Sequence, residues 1–255
     1  MWLSPVLNSA LLQDIVALLI SLAIIVVWLR LNAIVAERRW LPQVLTRKLV
    51  HIGTGPIFLV AWNFFSIAWH ARWLAALIPS TVLIQFVLIV SERVTRQGLV
   101  TSMTRTGEPR ELLRGPFAYG VVFVVCTLVF WKHSPVGVVC MMLLCGGDGF
   151  SDVIGRRFGR RKLPLQQQKT WAGSAAFFLA GFGFSLGYLA LFSAWGHFQI
   201  SLVGSLGPLA LLCLIGALVE GYSTTDRDNI TMPVSVAAAA WLLIEVLAWW
   251  PVRFV

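Results

Sequence analysis

Apolar stretches long enough to cross a membrane recur along the whole chain, and they restrict its fold more than any other feature. A transmembrane α-helix needs about 20 predominantly apolar residues, because the hydrocarbon core of a bilayer is about 30 Å thick. Of the 255 residues, 58% are hydrophobic and only 12% are charged, whereas a soluble domain carries about 25% charged residues. The sequence therefore predicts an all-α fold, a polytopic membrane helix bundle.

The apolar stretches predict about eight transmembrane helices, and a count of seven also fits. The fifth is short and ends in glycines and a carboxylate. No internal repeat and no linker divides the chain, so we expect a single polytopic membrane domain over residues 1–255. The predicted spans lie near residues 10–29, 50–69, 73–91, 114–131, 134–149, 171–193, 203–220 and 231–250.

The basic residues predict the orientation of these spans. All but three of the 20 Lys and Arg residues fall in the loops after the odd-numbered spans. The remaining three fall on the opposite side of the predicted membrane, and they are Arg72, Lys132 and Arg253. Because cytoplasmic loops carry the excess of Lys and Arg, the loops after the odd-numbered spans are predicted to be cytoplasmic and both termini non-cytoplasmic.

The densest polar cluster follows the fifth span. Asp148 and Asp152 are four residues apart, so on a helix they share a face. Two such carboxylates repel each other unless a cation lies between them, and Mg²⁺ is often held by one or two carboxylates together with substrate phosphates. A polar helix end with small packing residues fits the spacing equally well. Backbone could approach a ligand closely at the glycines of this segment, which are Gly147, Gly149, Gly155 and Gly159.

A single lysine, Lys169, stands just before the sixth span, close to Gly173 and Ser174. A cation at the N-terminus of a helix adds to the positive end of the helix dipole, which is unfavourable unless an anion lies nearby. Lys169 is therefore a candidate phosphate contact. The preceding basic run, which includes Arg156 and Arg157, also fits simple contact with lipid headgroups.

Two further clusters lie beside predicted cytoplasmic span ends. On a helix, Arg47 and Lys48 would each share a face with His51, which would then stay neutral and act as a hydrogen-bond donor or a base. A basic anchor with an interfacial histidine is the alternative. The second cluster is acidic and fits a solvated, helix-capping turn as well as a binding site. It comprises Glu220, Asp226, Asp228 and Asn229.

All of these clusters fall on the predicted cytoplasmic side. Their convergence predicts a site at the inner interface that holds a water-soluble phosphate donor while an apolar substrate arrives from the lipid. The Walker A pattern and the protein-kinase motif set do not occur in the sequence, so a nucleotide site would be of another type. Asp14 and Glu245 lie near the opposite ends of their spans, and we expect no role for them.

The motifs from about residue 45 to 235 resemble those of the polyprenol kinase family, and within it the phytol kinases of cyanobacteria and plastids. Each motif is short, but their order and spacing together are fairly specific. Two departures are Ser151, where the family often has alanine, and Thr170, where it usually has serine. The resemblance is carried by residues 47–55, 114–120, 147–159, 169–174, Glu220, 228–229 and Pro233.

The resemblance implies phosphorylation of an isoprenoid alcohol, phytol first, with CTP as phosphoryl donor and Mg²⁺ as cofactor. It implies a bacterial inner or thylakoid membrane and a place in isoprenoid metabolism such as tocopherol biosynthesis. Asp148 and Asp152 would bind the metal and act in catalysis with Lys169, Glu220, Asp228 and His51. The implied nucleotide-binding residues are Arg47, Lys48, Gly147, Gly149, Gly155, Arg156, Arg157, Gly159, Lys169, Gly173, Ser174 and Asn229.

Two other functions stay open at this stage. The run Lys169-Thr170-Trp171 with a following glycine also resembles CDP-diacylglycerol synthases, which are lipid cytidylyltransferases that use CTP. A transporter is the non-enzymatic alternative, but transporters favour charges at the bilayer midplane and a repeated topology. In a chain of this composition the net charge of +9 points to an anionic membrane face and a phosphorylated ligand rather than to nucleic acid.

Overall fold

The computed structural model describes residues 9–164, 166–224 and 227–254. Within these residues, eight helical segments are long and apolar enough to cross a membrane, which confirms the prediction of a polytopic helix bundle with about eight spans. A chain whose two termini lie on the same side of a membrane crosses it an even number of times, and eight spans satisfy this condition. Which side the termini occupy stays a prediction. The segments are Ala10–Glu37, Gln43–Phe64, Ala71–Val90, Pro109–Val129, Pro135–Phe158, Trp171–Ala194, Leu202–Tyr222 and Asp228–Val246.

The helices belong to two compact units, Met1–Leu128 and Val129–Val255. The single domain over residues 1–255 stays a prediction. The first unit contains α1 (Ala10–Glu37), α2 (Gln43–Ala61), α3 (Ala71–Val90), α4 (Gln97–Met103) and α5 (Gly115–Val129). The last residue of α5, Val129, already belongs to the second unit. The second contains α6 (Pro135–Met142), α7 (Asp148–Phe158), α8 (Trp171–Ala194), α9 (Leu202–Tyr222) and α10 (Asp228–Trp241).

Short elements complete the two units. The chain forms 3₁₀-helices at Trp62–Phe64 and Pro109–Leu113, and π-helices at Leu143–Gly147 and Leu242–Val246. Strand β1 (Lys162–Leu163) pairs antiparallel with β2 (Gln166–Thr170), and β3 (Phe198–Ile200) pairs antiparallel with β4 (Val252–Phe254). Asp226 of the acidic segment lies outside the described residues.

Helix α1 of the first unit is longer than the sequence predicts. Its 28 residues correspond to about 42 Å, more than the hydrocarbon core requires. The helix begins at a cap in which the Ser9 hydroxyl accepts a hydrogen bond from the backbone N–H of Leu12. It ends just before Arg39, which adopts a left-handed conformation with φ of 53°. The extra length carries the helix past the predicted end at residue 29.

Asp14 on α1 has a structural role that the sequence analysis did not predict. Its carboxylate is fully buried and accepts hydrogen bonds from the backbone N–H of Ser66, at 2.6 Å, and from the Ser66 hydroxyl, at 2.9 Å. Nε2 of His70 lies 3.0 Å from the same carboxylate. Because a buried carboxylate needs such partners, Asp14 fixes the segment that follows the second span to the first helix.

Helix α2 begins at Gln43, seven residues before the predicted start of the second span. It follows Pro42, which sits at its N-terminal boundary. Arg47, Lys48 and His51 therefore all lie within a regular helix, as their predicted common face requires.

The central helix of the second unit runs from Pro135 to Phe158 through α6, the π-helix and α7. Ser134 caps its start by accepting a hydrogen bond from the backbone N–H of Val136, at 3.3 Å. Every residue from 135 to 149 is buried, so this segment packs against protein rather than lipid. Helix α8 packs along its whole length, against α6, the π-helix and α7, and α9 and α10 complete the surroundings.

Glycines allow the closest helix contacts in this unit. The ring of Phe177 on α8 is fully buried between Gly147 and Gly216, where a Cβ atom at either glycine would lie 3.0 Å from the ring. The π-helix places the backbone of Gly147 against this ring directly before Asp148. A π-turn inside an α-helix is a frequent feature of functional sites.

The β1–β2 hairpin is an element that the sequence did not reveal. It joins α7 to α8 and ends at Thr170, whose hydroxyl caps α8 by accepting a hydrogen bond from the N–H of Gly173, at 3.1 Å. Lys169 was expected to stand in a loop, and instead it belongs to β2. The strand and the cap together fix the backbone on both sides of Lys169.

Candidate active site

Lys169 lies at the centre of a group of buried carboxylates in the second unit. Its ammonium nitrogen contacts Oε1 of Glu220 and lies 3.1 Å from Oδ2 of Asp228. Glu220 is 2% exposed and Asp228 is 9% exposed. The anion that the sequence analysis expected beside Lys169 is therefore, in the protein itself, a pair of carboxylates.

Three different helices supply the carboxylates. Asp148 is the first residue of α7, Glu220 lies in the last turn of α9, and Asp228 is the first residue of α10. One carboxylate oxygen from each residue can be chosen so that all three lie within 4.8 Å of one another. At the start of α10 the negative charge of Asp228 also interacts favourably with the helix dipole. The backbone N–H of Asn229 donates a hydrogen bond to Asp228, at 3.0 Å.

Lys169 stays charged in these surroundings. Burial by itself would lower its pKa, but the negative charges of Glu220, Asp228 and Asp148 outweigh burial, so the pKa of Lys169 stands above its ordinary value. One ammonium group compensates only part of the charge of three ionised carboxylates. The negative charge that remains can therefore be balanced by a second cation.

Glu220 shows where such a cation would bind. Its Oε1 accepts hydrogen bonds from Lys169 and from the hydroxyl of Ser151, the latter at 3.1 Å, whereas its Oε2 is buried and has no hydrogen-bond partner among the described residues. An unpaired buried carboxylate oxygen is costly unless it is matched by a positive charge. Carboxylate oxygens are the ligands that Mg²⁺ takes from proteins. Asp148, Glu220 and Asp228 thus fit a divalent cation such as Mg²⁺.

Asp152 was expected to share this cation with Asp148. In the structure its Oδ1 accepts a hydrogen bond from Nε of Arg156, at 2.7 Å, one turn further along α7. Among the described residues the group that could hold a metal consists of Asp148, Glu220 and Asp228. A metal-binding role for Asp152 stays a prediction.

The predicted glycines lie where helices and the hairpin meet. A Cβ atom at Gly155 would lie 3.1 Å from the Thr170 hydroxyl, and one at Gly159 would lie 2.5 Å from it. A Cβ atom at Gly173 would lie 3.1 Å from the backbone oxygen of Ser151. These glycines therefore let α7 pack against the start of α8 and the strand that carries Lys169. Their contact with a nucleotide stays a prediction.

The remaining predicted residues of the second unit surround the same helix ends. Gly149 is buried on α7, and Arg157 extends so that its guanidinium lies 5.5 Å from the ring centre of Phe158. Ser174 lies in the first turn of α8, near Gly221 on α9.

The predicted residues of the first unit lie together on α2. Lys48 is 5% exposed, and the ring of His51 lies 4.5 Å from the ring of Tyr119. The Tyr119 hydroxyl donates a hydrogen bond to the backbone oxygen of His51, at 2.7 Å. Tyr119 belongs to the motif that carries the family resemblance, and here it fixes the helix turn that bears His51. Catalytic and nucleotide-binding roles for His51, Arg47 and Lys48 stay predictions.

Ser151 is the member of the cluster that sequence reasoning did not assign. It was noted only as a departure from the family pattern. Its position offered one signal: on a helix it lies three residues after Asp148 and so shares a face with it. The second signal, its contact with Glu220, depends on how α8 brings α7 and α9 together.

Curated plant proteins are similar to this chain over most of its length. One is probable phytol kinase 1, chloroplastic, of Oryza sativa subsp. japonica, with 42% identity over 208 residues, which are 81% of this chain and 66% of the rice protein. The probable phytol kinase, chloroplastic, of Zea mays is 39% identical over 82% of this chain and 70% of its own length. Phytol kinase 1, chloroplastic, of Arabidopsis thaliana is 36% identical over 81% of this chain and 68% of its own length.

No family model matches the chain, and no solved structure matches it. The fold and the cluster define a polytopic membrane protein with a buried lysine–carboxylate site where several of its helices end or begin. The similarity to the plant proteins then gives the family: the chain belongs to the phytol kinases. The resemblance found in the sequence motifs is thereby confirmed.

Proposed function

We propose that this protein is a kinase that transfers a phosphoryl group from CTP to an isoprenoid alcohol, with phytol as the leading substrate. The observation that carries the proposal is the buried group of Lys169, Asp148, Glu220 and Asp228 in a chain of the phytol kinase family. A cation beside several carboxylates at helix ends suits a phosphate group that arrives with its metal ion.

The chemistry requires little of the protein beyond placement and charge. The hydroxyl oxygen of the alcohol forms a bond to the γ-phosphorus of CTP, and the bond from that phosphorus to the β–γ bridging oxygen breaks. The products are the isoprenyl monophosphate and CDP, and the hydroxyl proton passes to solvent or to a carboxylate. Because the transition state spreads negative charge over the phosphoryl oxygens, positioning and electrostatic stabilisation account for most of the catalysis.

Residues of the second unit have distinct parts in this proposal. Lys169 would hold phosphate oxygens of the donor as a compact positive charge. Asp148, Glu220 and Asp228 would hold Mg²⁺, which when bound neutralises charge on the phosphates of the nucleotide.

The membrane supplies the second substrate. Eight apolar helices provide a hydrocarbon environment in which an isoprenoid tail is soluble, while charged residues at the helix ends meet water. Following the distribution of Lys and Arg, the site lies on the cytoplasmic face, in a bacterial inner or a thylakoid membrane. The product would enter isoprenoid metabolism, including tocopherol biosynthesis.

One assay with two labels tests the proposal. Purified protein in detergent or nanodiscs receives Mg²⁺, a lipid acceptor, and CTP labelled on either its γ- or its α-phosphate. With phytol, we expect the γ-label to move to the lipid product and the α-label to remain on CDP.

The same assay contains the outcomes that contradict the proposal. With phosphatidic acid as acceptor, transfer of the α-label to lipid with release of pyrophosphate would identify a lipid cytidylyltransferase instead. Absence of turnover with either acceptor would favour a transporter. Replacing CTP by ATP, GTP or UTP in the phytol reaction tests the nucleotide preference, and a rate with ATP that equals the rate with CTP would contradict CTP dependence.

A further inference from the structure

Ser151 makes a contact with Glu220 that joins two helices of the second unit. Its hydroxyl group on α7 lies 3.1 Å from Oε1 of Glu220 on α9. An ionised carboxylate can only accept, so the serine is the donor. Ser151 is 5% exposed and Glu220 is 2% exposed, so little water competes for this hydrogen bond.

The contact makes the two oxygens of Glu220 different. Oε1 accepts from both Ser151 and Lys169, whereas Oε2 is buried and has no hydrogen-bond partner in the part of the chain that the structure describes. The terminal torsion of a glutamate side chain has broad preferences, so a single donor does not fix the plane of the carboxylate. Two donors that approach the same oxygen from α7 and β2 do fix it, and Oε2 is then the oxygen left for a cation.

We infer that Ser151 is a positioning residue, which holds Oε1 of Glu220 so that Oε2 is presented to a divalent cation shared with Asp148 and Asp228. One carboxylate oxygen from each of these three residues can be chosen so that all lie within 4.8 Å of one another, so the three residues are close enough to share a cation. The inference rests on the metal site of the proposed function.

Another serine of the same unit supplies the matched control. Ser185 on α8 is fully buried, and its hydroxyl has no hydrogen-bond partner within residues 9–164, 166–224 and 227–254. Replacing Ser185 by alanine removes a buried hydroxyl without removing a contact to a carboxylate. A comparison of the two serines therefore separates loss of the Glu220 contact from loss of a buried hydroxyl in general.

The experiment measures binding of Mn²⁺, used as the probe for a divalent cation, to the purified full-length protein without nucleotide, by electron paramagnetic resonance. We expect Ser151→Ala to weaken Mn²⁺ binding about tenfold or more, since loss of a group that orients a metal ligand typically costs 10- to 100-fold in affinity. Ser185→Ala should bind Mn²⁺ as the wild type does. Thermal unfolding without metal should show a modest loss of stability for Ser151→Ala alone, because only that variant loses a buried hydrogen bond.

Two variants whose new side chains have nearly equal volume separate loss of the hydroxyl group from a change in packing. Ser151→Thr keeps the hydroxyl and Ser151→Val does not, so we expect Mn²⁺ affinity near the wild-type value in the first variant and weakened affinity in the second. Equal affinities of the two would overturn the inference. In the kinase assay, Ser151→Ala should raise the Mg²⁺ concentration needed for half-maximal activity more than it lowers the rate at saturating Mg²⁺.

The outcomes also separate this inference from the proposed function. Tight Mn²⁺ binding by the wild type together with unchanged binding by Ser151→Ala overturns the positioning role and leaves the kinase proposal intact. No Mn²⁺ binding by the wild type overturns the positioning role together with the proposed metal site.

Discussion

The ammonium group of Lys169 lies 3.1 Å from Oδ2 of Asp228, a residue 59 positions further along the chain. The same nitrogen contacts Oε1 of Glu220, so one cation joins strand β2 to the end of α9 and the start of α10. Removal of one partner from a buried ion pair leaves an uncompensated charge and costs about 3–5 kcal/mol. Lys169 is therefore important for stability as well as for the proposed contact with phosphate.

We expect Lys169→Met to lower the free energy of unfolding by about 3 kcal/mol and to reduce kinase activity on the order of 100-fold or more. Lys169→Arg keeps the charge and should lose less stability, but it should stay well below wild-type activity because a guanidinium group does not replace a compact ammonium group. Thermal unfolding in detergent and initial rates provide the two measurements. A Lys169→Met variant as stable as the wild type would contradict the structural part.

The pH dependence of this contribution follows from the raised pKa of Lys169. A group whose pKa is higher in the folded than in the unfolded state contributes fully below the unfolded value, about 10.4 for lysine, and loses the contribution only as pH rises beyond it. Lys169 itself should therefore add no pH dependence to stability between about pH 6 and pH 9.

Asp148 and Asp152 should differ in their effect on metal binding. Asp148→Asn removes one carboxylate of the group of three, so we expect activity to fall on the order of 100-fold or more, with membrane insertion intact. Asp152→Asn mainly breaks the contact with Arg156 on the same helix and should affect Mn²⁺ binding less. The measurement is Mn²⁺ affinity together with the initial rate for each variant. Equal losses of affinity would place Asp152 at the metal as well.

The sequence predicted the spans well because each apolar stretch carries its own signal. It also singled out Lys169, Asp148, Glu220 and Asp228 individually, since ionisable residues beside apolar spans are costly without a purpose. It could not show that these four residues meet, because that depends on which helix ends come together. The sequence offered only the spacing along one helix, and that spacing predicted a pairing of Asp148 with Asp152. Arg156 is also four residues from Asp152, so the same spacing allows the contact that the structure shows.

Three other differences between the predicted and the observed structure also have identifiable causes. Strand β2 contains three consecutive glutamines and no alternation of apolar residues, so no strand pattern was visible. Helix α2 starts early because Gln43 to Arg47 extend the helix beyond the apolar part that predicted the span. Asp14 carried no signal because its partners, Ser66 and His70, lie more than 50 residues away.

A histidine in the second unit predicts acid sensitivity. His197 is 7% exposed, and burial lowers its pKa to about 3, with the charges of Lys132 and His133 acting in the same direction. Because the unfolded chain binds this proton near pH 6.5 and the folded protein does not, stability should fall as pH drops below about 6.5. The slope from one such group is at most about 1.4 kcal/mol per pH unit.

The test compares thermal unfolding of the wild type and His197→Phe from pH 7 down to pH 4. We expect the variant to lose less stability over this interval, because phenylalanine takes up no proton in the unfolded state. Above pH 7 the two curves should run parallel, which serves as the internal control. Identical slopes below pH 6 would rule out His197 as a source of the acid sensitivity.

Two carboxylates for which the sequence analysis expected no role should behave differently. Asp14 is fully buried, accepts two hydrogen bonds from Ser66 and lies 3.0 Å from Nε2 of His70, so Asp14→Asn should lower the free energy of unfolding by about 2–4 kcal/mol. Glu245 is exposed, and Glu245→Gln should change it by less than about 0.5 kcal/mol. Denaturation of both variants under the same conditions gives the comparison, and equal stability of the two would argue against the contacts of Asp14.

Two glycines on α8 test the close packing of this helix against the π-helix. A Cβ atom at Gly181 would lie 2.5 Å from the side chain of Leu143, which is fully buried, so Gly181→Ala should cost about 1–3 kcal/mol. At Gly183 no described atom outside the adjoining backbone of the same helix lies within 4 Å of such a Cβ atom, and Gly183→Ala should stabilise the helix by about 0.5–1 kcal/mol. The two positions share one helix and one substitution, so a difference in melting temperature reports packing rather than helix propensity. Equal shifts in the same direction would contradict the contact between Gly181 and Leu143, and with it the close approach of α8 to the turn that precedes Asp148.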